Sequence, residues 1–127
     1  MQETYGLSRT EFDIMEFLWR SPKALTFGEI LNYFNENCGK NWKKQTLNTY
    51  LSSLKKLGLI EMGEHTTGYG YYPVCSKNNF IHQWTKKFVK NFFDGSLSKF
   101  IAAFTGNEKI TQDEAADLKK MLDDIDE

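Results

Sequence analysis

Cysteine and histidine are scarce in this chain, with two of each, and neither is arranged for chemistry. Cys38 and Cys75 sit in no CxxC or Cys/His grouping, and His65 and His82 stand alone. That pattern excludes a structural zinc site and a disulfide framework, and reduced thiols in a cytoplasmic protein are expected. No Ser/His/Asp constellation, HExxH motif, Gly-rich phosphate loop or pair of histidine ligands occurs, so no catalytic residue, metal ligand or cofactor is assigned. No run of 18 apolar residues and no leader of basic then apolar residues is present, so neither export nor membrane insertion is expected. Excess charge is missing as well. Lys and Arg total 16 against 17 acids, which by itself gives no support to a nucleic-acid partner.

The chain has 127 residues, 40% of them apolar and 15% aromatic, enough for a packed core in one small domain with an appendage. The most informative stretch runs from Asn41 to Pro73. Leu47, Leu51, Leu54 and Leu57 recur at helical spacing with Tyr50 beside them. The opposite side carries Gln45, Thr49, Ser52 and Lys56, flanked by Thr46, Asn48 and Ser53. Short hydrogen-bonding side chains of this kind suit the edges of bases in a major groove better than an ordinary solvated face. Gly58 falls where a helix C-cap belongs, and Leu59-Ile60-Glu61-Met62 begins a strand that pairs, after a turn, with Tyr69–Pro73. Lys40, Lys43, Lys44, Lys55 and Lys56 cluster here, with no acid between Gly39 and Ile60, a local excess suited to phosphate contacts.

Two helices precede this segment. Ser8-Arg9-Thr10-Glu11 is a capping box, followed by Phe12, Met15, Leu18 and Trp19 as an inward face until Ser21-Pro22 ends the helix. Thr26-Phe27-Gly28-Glu29 is a second capping box, with Phe27, Ile30, Leu31 and Phe34 behind it. Three helices and a hairpin in about 70 residues follow the order of a winged helix-turn-helix. Residues 1–76 are therefore read as a DNA-binding winged helix.

From residue 77 the character changes, and six of the ten Phe lie in 77–127. Phe80, Trp84, Phe88 and Phe92 follow at four-residue steps. Phe93, Leu97, Phe100 and Phe104 continue the stripe after a slip at Asp94-Gly95. Thr111-Gln112-Asp113-Glu114 opens a last helix carrying Leu118 and Leu122. A 51-residue helical appendage cannot bury so much aromatic surface alone, so 77–127 is read as a dimerisation region facing a second copy. The fold class is thus mainly α with a small β-hairpin. A homodimer also suits two half-sites roughly 34–36 Å apart.

Leu7–Met15 with Leu18-Trp19, the helix from Lys43 towards Ile60, Tyr71-Tyr72-Pro73, and Ile110–Glu114 together resemble the penicillinase repressor family. That family includes β-lactamase, methicillin-resistance and copper-responsive repressors. The resemblance implies a homodimeric winged-helix repressor on a palindromic double-stranded operator. Carried onto this chain, its recognition contacts fall on Lys43, Lys44, Gln45, Thr46, Asn48 and Thr49, with Ser53 and Lys56 near the backbone. At the hairpin tip, His65, Thr66 and Thr67 are read, from their own chemistry, as neutral donors for DNA. The family resemblance further implies induction through a membrane sensor-protease pathway, as for β-lactam, that cuts in the dimerisation region. The matching bond is Ala103-Phe104.

The chain departs from the family pattern at several points. Asn48 and Ser53 stand where Arg or Lys is usual, and Ala103 replaces the Asn before the cut. No cysteine follows Cys75, which disfavours a copper sensor. The hairpin Glu61–Pro73 holds Glu61 and Glu64 and no Lys or Arg. An acidic hairpin on a neutral chain also fits a winged helix that serves as a protein-interaction module, the alternative reading.

Overall fold

A computed structural model describes residues 3–125. The chain divides into two compact units, Met1–Trp84 and Thr85–Glu127.

The first unit opens with a hairpin of two short strands, β1 (Glu3–Thr4) and β2 (Leu7–Ser8). Tyr5 and Gly6, both at positive φ, form its two-residue turn, as a hairpin with a mirror-type turn requires. Helix α1 (Arg9–Arg20) starts on the expected capping box. The Glu11 N–H donates to Ser8 Oγ at 3.2 Å, and the Ser8 N–H donates to Glu11 Oε1 at 2.9 Å. Helix α2 (Phe27–Asn32) starts on the Thr26–Glu29 box and widens into a π-helical turn over Tyr33–Asn37. Helix α3 (Lys44–Lys56) follows. It ends as a Schellman motif: Gly58, at φ +78°, donates to Lys55 O, and Leu59 donates to Leu54 O, each at 3.0 Å.

Strands β3 (Ile60–His65) and β4 (Gly68–Pro73) pair antiparallel from Ile60↔Pro73 to His65↔Gly68. Leu25 adds a bridge to Tyr71, with N–H to O distances of 3.0 and 2.7 Å. That approach needs Gly70, where a Cβ would sit 2.8 Å from Ala24 Cβ. The result is three helices and a wing, as expected.

The core of this unit is Leu7, Phe12, Ile14, Met15, Leu18, Leu25, Ile30, Phe34, Leu47, Leu51, Leu54 and Ile60. Each helix contributes one apolar stripe to it. Leu57, expected on the α3 stripe, is exposed because the helix closes just before it. Trp19 donates its indole N–H to Cys75 O at 2.9 Å, and Lys77 pairs with Glu16 at 3.1 Å. Tyr5 packs edge-on against Phe80 and Trp84, with ring centroids 6.3 and 5.3 Å apart. Phe80 and Trp84, expected on the dimer stripe, therefore pack within the first unit.

Helix α4 (Lys77–Phe93) gives its first half to that unit and its remainder to the second. It stops at the expected slip, where Asp94 and Gly95 both take positive φ. Ser96 then caps α5 (Leu97–Thr105), accepting the Lys99 N–H at 3.2 Å. Thr111 accepts the Glu114 N–H at 3.1 Å at the start of α6 (Gln112–Ile125). None of the described residues of α4, α5 or α6 is buried. Phe93 and Phe100 pack edge-on at 5.5 Å, yet Phe92 stays 71% exposed and Phe104 74%. Phe100, Ile101, Phe104, Ile110 and Leu118 line a cleft of about 190 Å³ between α5 and α6.

The N-terminus of α1 is tied to α3 through one carboxylate, because Glu11 Oε2 accepts from Ser53 Oγ at 2.9 Å. Burial pushes the Glu11 carboxyl up, but hydrogen bonds from the Ser8 backbone and the Ser53 and Ser8 hydroxyls outweigh it and leave it below its ordinary value. A group depressed in this way stabilises the fold above its unfolded value and loses that contribution as pH falls to the folded one. Glu11→Ala is expected to cost about 1–2 kcal/mol at neutral pH. The gap from wild type should close on acidification through the carboxylate range. Thermal melts at a series of pH values check this, and a gap independent of pH would contradict it.

Candidate nucleic-acid interface

The surface offered by α3 is set by the connection that precedes it. Asn35 clamps Trp42 from both sides: its Nδ2 donates to Trp42 O at 3.1 Å, and its Oδ1 accepts the Trp42 N–H at 2.9 Å. Trp42 stacks on Phe34 at 4.8 Å and leans on Tyr50 at 5.5 Å. The chain therefore enters α3 in one fixed direction, with Lys43 as the N-cap residue and no side chain capping the first turn. The uncapped amides leave a partial positive charge at this end, where no acid stands in the first turn.

Lys43, Lys44, Gln45, Asn48, Thr49, Ser52, Lys55 and Lys56 are all exposed along one side of α3. The Thr49 hydroxyl donates back to Gln45 O at 3.0 Å. Thr46 is half-buried beside the core stripe. Among the described residues, the ion pairs lie elsewhere, so none of these lysines is neutralised by an acid. Lysines thus flank both ends of a polar, uncharged strip formed by Gln45, Asn48, Thr49 and Ser52. A strip of amides and hydroxyls can donate to and accept from base edges, while the flanking ammonium groups can meet phosphates.

Two other expected contacts have partners inside the protein. Ser53 gives its hydroxyl to Glu11, which orients it towards α1. The side chain of His65 is only 9% exposed. Its Nδ1 accepts the Thr67 N–H at 3.2 Å, and its Nε2 lies 3.2 Å from a Glu29 oxygen without aligning as a hydrogen bond. With Nδ1 accepting, Nε2 carries the proton in the neutral ring and faces the acid. The Thr26 backbone N–H holds the Glu29 carboxyl below its ordinary range against slight burial, with the Thr26 hydroxyl and His65 adding to the effect. The wing tip is thereby fastened to α2, leaving Thr66 and Thr67 exposed. On the wing's outer side, Tyr72 donates its hydroxyl to Glu61 at 3.0 Å. Spacing alone did not reveal the Ser53 and His65 contacts, since both partners lie tens of residues away.

The profile of the penicillinase repressors matches residues 7–124, across both units. The chain belongs to the penicillinase repressor family. It is 23% identical over 120 residues to the methicillin resistance regulatory protein MecI of Staphylococcus aureus, covering 94% of this chain and 95% of that protein. It is 21% identical over 124 residues to the penicillinase repressor of Bacillus licheniformis, covering 98% and 94%. It is 23% identical over 119 residues to the penicillinase repressor of Staphylococcus aureus, covering 94% and 92%. Penicillinase repressors are transcriptional regulators, not enzymes. The described residues hold no group of three or more His, Cys, Asp or Glu side chains that could bind a metal ion. No helix among them is long and apolar enough to cross a membrane.

Proposed function

We propose that this family member is a cytoplasmic, homodimeric repressor that reads a palindromic operator with α3 of each copy. The observation that carries the reading is the exposed side of α3, where lysines flank an acid-free strip of Gln45, Asn48, Thr49 and Ser52 ahead of an otherwise neutral chain. Residues 1–76 serve as the DNA-binding part, and 77–127 hold the dimer together. Gln45, Asn48 and Thr49 contact bases. Lys43, Lys44 and Lys56 contact phosphates, and the exposed Thr67 at the wing tip joins them. The acidic wing favours one competing reading, a protein-interaction module, and salt separates the two. Lys43→Ala and Lys56→Ala should weaken binding to every duplex alike and reduce the slope of log affinity against log salt by about 1 each. Fluorescence anisotropy at several salt concentrations measures that slope. Binding indifferent to salt would favour the interaction module.

Release from the operator proceeds by cutting Ala103-Phe104 when a membrane sensor-protease pathway is triggered. Both residues are exposed in the last turn of α5, just before Gly106 at φ +56°. The bond is helical here, and Thr105 Oγ1 holds that turn by donating to Ile101 O at 3.0 Å. Cleavage must therefore be preceded by unwinding of this turn, which a helix terminus permits at small cost. Cutting separates α6 from the rest of the dimerisation region. The mass of the protein recovered from β-lactam-treated cells should correspond to a fragment ending at Ala103. An intact chain that has left its operator would contradict proteolytic release.

A further inference from the structure

A cleft of about 340 Å³ opens within the first unit, lined by Asp13, Glu16, Arg20, Tyr33, Phe34 and Cys38, with Lys40 at its edge. None of its lining residues belongs to the polar strip of α3, and only Lys40 belongs to the lysine cluster noted in the sequence. Its volume falls in the range of small-molecule sites, roughly 300–1,000 Å³.

Its charges are unevenly satisfied. The Asp13 carboxylate is paired with Arg9 at 3.3 Å, and that of Glu16 with Lys77 at 3.1 Å. Neither of the two cations facing them forms an ion pair among the described residues; the Tyr33 oxygen and, to a smaller extent, the nearby Glu16 carboxylate hold the Arg20 guanidinium in its charged form. The Arg20 guanidinium donates to Tyr33 Oη at 3.0 Å and to the Glu16 backbone carbonyl at 3.3 Å, both uncharged acceptors. Lys40 has an exposed side chain with no acidic partner among the described residues.

Backbone geometry places the aromatic wall. Tyr33, the first residue of the π-helical turn Tyr33–Asn37, stacks on Phe17 with rings 3.8 Å apart and 9° from parallel, and the Arg20 guanidinium sits beside that stack, 5.9 and 5.8 Å from the two ring centroids. Such wide turns recur at functional sites. The site therefore offers a guanidinium held in a fixed orientation, a second cation, a phenol and an aromatic surface in one concavity.

We infer that this cleft binds a small aromatic carboxylate, with the carboxylate between Arg20 and Lys40 and the ring against the half-buried Tyr33. A guanidinium with free donors matches a carboxylate in two-point geometry, and the second ammonium adds charge. The two acids do not repel such a ligand strongly, because each is already paired. Cys38 lines the same cleft and is exposed, so it reports occupancy without taking part in binding.

Benzoate and 4-hydroxybenzoate serve as probes on the full-length protein. The rate of Cys38 alkylation by iodoacetamide, resolved from that of Cys75 by peptide mass, should fall several-fold on adding either probe, with Cys75 unaffected. The uncharged benzamide should protect far less. In Arg20→Met/Lys40→Met protein, whose fold is checked by circular dichroism, protection should be lost. No protection up to about 10 mM, where even a ligand bound by only a few kcal/mol would be seen, would overturn the inference. Protection that survives in the double variant, or is equal with benzamide, would overturn it as well. Because the readout uses no DNA, its outcome is independent of operator binding. Should the double variant instead lose affinity for duplex with a shallower salt slope while showing no probe protection, the two cations belong to the DNA surface and the inference fails.

Discussion

Phe92→Asp or Phe104→Asp is expected to turn the protein into a monomer and to lower operator affinity by about 10²–10⁴. Both side chains are largely solvent-exposed in the single chain, at 71% and 74%, so a charge there costs the isolated protomer little. The same charge inside an apolar interface is desolvated without a partner and is strongly unfavourable. Loss of assembly with an unchanged melting profile of the first unit would thus locate the effect in the interface. Two weak half-site contacts joined through one interface act at a high effective concentration, and separating them forfeits that advantage. Light scattering at micromolar protein gives the assembly, and anisotropy gives the affinity. A wild-type monomer, or an aspartate variant that remains dimeric, would leave the exposed apolar face of α4 to α6 without its proposed partner.

The second large effect concerns sequence reading. Gln45→Ala and Asn48→Ala should each cost about 1–3 kcal/mol on the operator and far less on unrelated duplex. Both side chains are exposed on the acid-free side of α3, and neither has a hydrogen-bond partner that its removal would strand inside the protein. Their loss should leave stability close to that of wild type. In this they differ from Ser53, whose hydroxyl binds Glu11, so that Ser53→Ala should lower stability rather than specificity. Equal losses on operator and unrelated DNA for Asn48→Ala would remove its base-reading role.

Much of the architecture was legible in residue order because local signals and tertiary packing agree. The Ser8–Glu11 and Thr26–Glu29 boxes start the first two helices, Gly58 ends the third, and Asp94-Gly95 breaks the Phe-rich stripe where the backbone takes positive φ. Local propensity decided each of these points, and nothing distant overrode it. The N-terminal hairpin was not legible, because its strands are two residues long and its turn is Tyr5-Gly6 in place of the usual Asn-Gly. Spacing puts Phe12, Met15, Leu18 and Trp19 on the inward face of α1, yet Ile14 is fully buried as well. The helix is covered by that hairpin and by β4 as well as by its helical neighbours, so its apolar arc is wider than one stripe.

At the candidate interface, the composition of the α3 face could be read from spacing, since a helix fixes which residues share a side. Which of those residues are already engaged could not. Glu11 and Ser53 are 42 positions apart, and Glu29 meets His65 only because the wing folds back onto α2. The same limit applies to Phe80 and Trp84. The four-residue rhythm of the stripe is continuous, but its first two members meet Tyr5, which is remote in sequence. Periodicity identifies a face and leaves its partner open.

This chain is expected to distinguish one DNA sequence from others through α3. The measurement compares the affinity of the full-length protein for duplex from the region upstream of its own gene with that for the same bases scrambled, at one physiological salt concentration. A ratio of about 10³ or more, falling sharply in Asn48→Ala, is the expected result. Equal affinity for the two duplexes would contradict it.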